Sequence, residues 1–117
     1  ETGTWCGPCR TLSRYVVNNK EIFDANFVWL KVDRVRDLHG SEVMTRYRRK
    51  IGGIPWFVIL DAEGKSLERS EMADGANIGY PTKPEEIQRL LDVLKKTGPR
   101  LSEEQIVRLR EGLEGKK

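Results

Sequence analysis

The pentapeptide Trp5-Cys6-Gly7-Pro8-Cys9 constrains this chain more than any other stretch. Its two cysteines are the only ones in the 117 residues. The run that follows, "CRTLSRYVV", sets Leu12, Tyr15 and Val16 at i, i+3 and i+4, the apolar stripe of a helix. A helix that opens on the motif puts Cys6 at its N-terminus, where unpaired N–H groups and the macrodipole favour negative charge. Cys9 then lies one turn later on the same face.

Three uses of such a pair compete. Tetrahedral zinc wants four ligands, and two cysteines plus the single His39 supply three, so a structural zinc site is disfavoured. A metal carrier would need the remaining ligands from a partner. A purely structural disulfide would close a loop of a few residues, and so small a loop removes little entropy from the unfolded chain. A redox site accounts for the spacing better, because the helix N-terminus lowers a thiol pKa into a range of about 3.5–7.5 and the second thiol is within reach.

Composition bounds the rest. With 38% hydrophobic and 33% charged residues, 117 residues bury one modest core, so one domain is expected. The net charge of +3, from 21 Lys+Arg against 18 Asp+Glu, is too mild to call for nucleic acid. The clusters Arg34 to Arg36 and Arg46 to Lys50 carry no alternating aromatics for base stacking. They read as solvated faces, with a steering patch for an acidic partner as the alternative. No run approaches the roughly 18 apolar residues that would cross a bilayer, so no membrane span is expected. The chain shows no leader with a cleavage site and no initiating Met, and an upstream segment is therefore expected.

Along the chain, "NNKEIFDAN" breaks the helical pattern with room for one short turn, and "FVWLKVD", Phe27 to Asp33, reads as a strand buried on both faces. "SEVMTRYRRK" suits a helix with Ser41 as N-cap and Val43, Met44 and Tyr47 on one side. "WFVILD", Trp56 to Asp61, "AEGK" and "SLERSEM" form a strand, a turn and a second strand, a hairpin. After the Gly- and Pro-punctuated loop 73–82 comes the strongest helix, "KPEEIQRLLDVLKKTG". Pro84 stands near its first turn, Glu85 and Glu86 at its positive end, Ile87, Leu90, Leu91 and Leu94 along its stripe, and Gly98 at its stop. A final, peripheral helix is expected behind Ser102, with Ile106, Leu109 and Leu113 inward.

"WCGPC", the "LKVD" strand ending, "GGIP" with Ile54-Pro55, an apolar strand and a closing helix occur, over residues 3 to 97, in an order that resembles the thioredoxin family. More narrowly, "GTWCGPCR", "GGIPWFVILDAEGK" and "NIGYPTKPEEI" resemble bacterial thioredoxin-like proteins with a longer loop before the closing helix. The resemblance implies an α/β fold, a central sheet flanked by helices. Cys6 is then the attacking thiolate and Cys9 the resolving thiol. Pro55 stands in a cis peptide beside the disulfide, turning the Ile54 backbone toward an extended substrate strand. Trp5 covers the sulfurs, its other reading being an aromatic that fills the core. Gly7 and Pro8 shape the turn and set the redox poise.

On this reading the chain divides into a thioredoxin-like domain over 1–98 and a helical extension over 99–117. It is a thiol–disulfide oxidoreductase, a monomer without bound cofactor or metal, that reduces disulfide-containing proteins and is recharged by an electron-donating reductase. A redox-inert binding module on the same fold is the rival, against which both cysteines argue. Likeness to bacterial forms with leaders favours an extracytoplasmic, periplasmic location over a cytoplasmic one. The family's central strand would immediately precede the motif, and that strand is missing from these residues. Its buried acidic residue would fall one position before Glu1. His39, in a polar stretch, is expected to be a loop residue.

Overall fold

The structure, a computed structural model, describes residues 1–115. Lys116 and Lys117, the end of the extension expected over 99–117, lie outside the described residues. Helix α1 spans Gly7–Asn18, α2 Lys20–Asn26 and α3 Gly40–Tyr47; strands β1 and β2 are Val58–Leu60 and Ser66–Arg69; helices α4 and α5 are Pro84–Thr97 and Glu103–Leu113. The expected α/β class holds, with a sheet reduced to the antiparallel pair β1–β2.

The helices follow their stripes. Leu12, Tyr15 and Val16 of α1 meet Ile87, Leu90, Leu91 and Leu94 of α4 in one apolar core. The stretch with room for a short turn is the full helix α2, which adds Ile22 and Phe23 to that core. Pro84 stands at the start of α4, where its missing N–H is no loss. The Glu86 carboxylate accepts from the Lys83 N–H at 3.1 Å and the Thr82 N–H at 3.2 Å. In α5, Ser102 Oγ accepts from Gln105 N, and Gln105 Oε1 accepts from Ser102 N in return. Leu109 is fully buried in the common core, Leu113 joins it, and the Tyr15 hydroxyl donates to Leu109 O at 2.9 Å.

Helix α3 begins two residues before the expected site, so Ser41 sits inside its first turn and His39 takes the N-cap position in left-handed backbone, φ 60°. Close packing fixes that start: a Cβ on Gly40 would stand 2.3 Å from Asp33 O. Only glycine fits there. The helix also ends early, at Tyr47, because Arg48 turns into extended backbone.

The expected strand over Phe27 to Asp33 is corrected. Among the described residues its only sheet contact is a single parallel bridge from Asp33 to Thr2, with Thr2 N donating to Val32 O at 2.8 Å. Far from being buried on both faces, Val28 is 90% and Leu30 81% exposed. The physical reason lies in what stands between this segment and β1. Glu1 exchanges both backbone hydrogen bonds with Trp56. Glu1 and Thr2 thus link the two runs, and beyond them residues 27–31 and 57–60 face each other across an apolar cleft of about 460 Å³. An apolar β-rich run becomes a buried strand only where a neighbour satisfies its backbone.

Candidate functional site

The two cysteines sit at the head of α1, as the sequence leads one to expect. Cys6 is the N-cap, in extended backbone, and its Sγ accepts from Cys9 N at 3.1 Å while its carbonyl accepts from Arg10 N at 3.3 Å. Gly7 and Pro8 occupy the first two helical positions. With no N–H on Pro8, the first-turn donor that reaches the sulfur is that of Cys9. Cys6 and Cys9 are joined as a disulfide with Cα atoms 5.2 Å apart, and both are nearly buried, at 2% and 3% exposure.

Across from the sulfurs runs the Gly53-Ile54-Pro55 segment, whose Ile54–Pro55 bond is cis. Ile54 O lies 3.7 Å from Cys6 Sγ. In the disulfide this is a contact only; after reduction, a Cys6 thiol could donate to that carbonyl. Trp5 does not fill the core, being 76% exposed, and its indole edge lies beside Gly3, where a Cβ would stand 3.0 Å from Nε1. Trp5, Cys6, Gly7, Pro8, Cys9, Ile54 and Pro55 thus come from two chain segments, which meet at the sulfur–carbonyl contact. His39 lies apart, its Nδ1 3.1 Å from Glu42 Oε1.

Behind the segment stands a charged cluster that the sequence reading missed. The Glu1 carboxylate, 7% exposed, receives Arg48 Nη1 at 2.8 Å and Arg34 Nε at 3.2 Å. Arg48 also donates from Nη2 to Gly53 O at 2.7 Å and lies over the Trp56 ring, 5.1 Å from its centroid. Trp56 in turn donates from Nε1 to Glu71 at 2.9 Å. The reading of the Arg34 and Arg46–Lys50 clusters as solvated faces is therefore corrected for Arg34 and Arg48. Their planar guanidiniums serve a nearly buried carboxylate that would otherwise be unpaired, and Arg48 adds a donor to Gly53 O. The signal was Arg48 itself, which falls where the helical stripe stops, but periodicity alone does not separate it from Arg46 and Arg49.

Burial acts to raise the Glu1 carboxyl pKa, and the Arg34 and Arg48 guanidiniums more than offset it, leaving it below its ordinary 4.5. A carboxylate depressed in the folded state contributes its full stability above the unfolded pKa, and loses it as pH falls through the folded one. Thermal melts from pH 7 to pH 3 should therefore fall less steeply below about pH 4.5 in Glu1→Gln than in the parent. Parallel curves for the two proteins would show that Glu1 carries none of the acid sensitivity.

The fold and site together define a small α/β protein with a cysteine pair at a helix N-terminus, facing a cis-proline segment. A curated relative supports that class: thioredoxin H-type from Fagopyrum esculentum is 41% identical over 68 residues, covering 58% of this chain and 53% of that protein. The chain is similar to that thioredoxin over this stretch, and it spans about half the length of the curated relative it matches. That relative is a plant protein, so it lends no support to the narrower bacterial likeness. No family profile matches the chain, and no solved structure matches it.

Proposed function

We propose that the protein is a thiol–disulfide oxidoreductase that reduces disulfides in other proteins. The observation that carries this reading is Cys6 Sγ at the head of α1, accepting the Cys9 N–H while bridged to Cys9. In the dithiol state the same N–H and the helix dipole stabilise a Cys6 thiolate. That thiolate attacks one sulfur of a substrate disulfide, forming a Cys6–substrate disulfide and releasing the other substrate sulfur as thiolate. Cys9 then loses its proton and attacks Cys6 Sγ, which closes the Cys6–Cys9 bond and expels the second substrate thiolate. Two electrons pass from the protein to the substrate, and a reductase returns them.

Trp5, next to Cys6 in the chain, is 76% exposed, and among the described residues its indole has no hydrogen-bond partner, so displacing it breaks none. An extended substrate lies along the backbone of Ile54, next to the sulfur it must reach. The test is turbidimetric reduction of insulin with dithiothreitol as electron source. The protein should accelerate precipitation well beyond dithiothreitol alone; a rate equal to that background would favour the redox-inert binding module.

A further inference from the structure

The loop 73–82 and its Asn77 stand outside the roles given to the cysteines and to Ile54–Pro55. The loop leaves β2 and doubles back on itself: Met72 N donates to Ala76 O at 2.8 Å, Asp74 Oδ1 accepts from Ala76 N at 2.9 Å, and Gly75 turns at φ +89°. Left-handed backbone there suits glycine. The reversal pairs Asn77 with Glu71 in an antiparallel bridge, and Ile78 N donates to Ser70 O at 2.9 Å. Asn77 is thereby carried to the Gly53-Ile54-Pro55 segment.

Its side-chain amide brackets Ile54. Nδ2 donates to Gly53 O at 2.9 Å and to Pro55 O at 2.9 Å, the carbonyls on either side of the one that faces Cys6. Oδ1 accepts from the Ser70 hydroxyl at 3.1 Å, and that hydroxyl accepts from Phe57 N at 2.8 Å. The amide orientation is forced, because two carbonyls on one side demand the nitrogen. Ser70 is fully buried and both of its polar roles are used, so the oxygen end of the amide is held as firmly as the nitrogen end.

We propose that Asn77 is a positioning residue for disulfide exchange, fixing the Gly53–Pro55 backbone so that Ile54 presents a set edge to an extended protein disulfide beside Cys6. The proposal rests on the thiol–disulfide reading above. Asn77 touches neither sulfur nor substrate. Its effect falls on alignment, which a chain segment needs and a small disulfide does not.

The test compares the parent with Asn77→Ala and with Asn77→Asp, an isostere that keeps an acceptor for Ser70 but loses both Nδ2 donors. For each, kcat/KM with insulin is divided by the rate constant with oxidised glutathione, at a temperature well below the variant's own Tm. The ratio should fall about tenfold, since small misplacements of aligning groups cost rates of that order or more. Loss of stability alone would move the two rates together. An unchanged ratio in whichever variant folds overturns the proposal and leaves Asn77 as a turn residue, with the exchange reading intact. A parent protein inactive on both disulfides would instead overturn the exchange reading and this proposal with it.

Discussion

Cys6→Ser should reduce insulin no faster than dithiothreitol alone. The chemistry requires a sulfur nucleophile at the N-cap of α1, where the Cys9 N–H points at Sγ from 3.1 Å. A serine hydroxyl has no accessible anionic form near neutral pH and forms no disulfide, so neither half of the exchange can proceed. Serine is also a favourable N-cap, and its hydroxyl can take the same N–H. The fold should therefore survive, and a loss of activity with an unchanged melt belongs to the missing sulfur. Activity near the parent level in Cys6→Ser would remove Cys6 from the attacking role and point to Cys9, which is equally buried but lies inside the helix rather than at its head.

The largest effect on stability is expected at Arg48. Truncating it to alanine removes one of the two guanidiniums from a nearly buried Glu1, takes a donor from Gly53 O and uncovers the Trp56 ring. Removing one partner of a buried ion pair costs about 3–5 kcal/mol, and because Arg34 stays with Glu1 the lower end of that range applies. For a chain of this size, about 3 kcal/mol lowers Tm by roughly 10 °C. Arg48→Lys should recover only part of the loss, because a single ammonium cannot reproduce the fork that reaches Glu1 and Gly53 O together. Chemical denaturation of the three proteins checks both statements. A loss below about 1 kcal/mol in Arg48→Ala would place the pair in the class of weak surface ion pairs.

These two residues mark the boundary of what could be read from the sequence. The Cys6 position was legible because local rules fix it: a stripe of Leu12, Tyr15 and Val16 dictates the helix, and the helix dictates what its first residue meets. The same locality made α4 and α5 legible, from Pro84 and Ser102 at their starts to the buried leucines along them. Arg48 was not legible, since its role depends on Glu1 and Gly53 meeting in space, and a basic run looks alike whether it is solvated or buried. Asn77 is similar: one polar residue in a Gly- and Pro-rich loop becomes a bracket only when Ser70 and the Gly53–Pro55 segment arrive on its two sides.

The strand expected over Phe27 to Asp33 failed for a related reason. Apolar β-rich composition states that a segment can be buried in a sheet, but burial belongs to the pair of neighbours, and here Glu1 and Thr2 reach only its last two residues. Val28 and Leu30 consequently stay largely exposed. At α3 the failure was finer: Ser41 is a good N-cap by type, yet the contact of Gly40 with Asp33 O sets the start two residues earlier.

The central claim is that Cys6 attacks and Cys9 resolves, and trapping tests it most directly. Reduced Cys9→Ser is mixed with a disulfide-containing protein, the reaction is quenched with acid, and the products are separated without reductant and sequenced by mass spectrometry. The account predicts a stable covalent adduct joined through Cys6, absent from the parent, in which Cys9 releases the substrate, and absent from Cys6→Ser. An adduct that forms through Cys9 in Cys6→Ser, with none on Cys9→Ser, would contradict it.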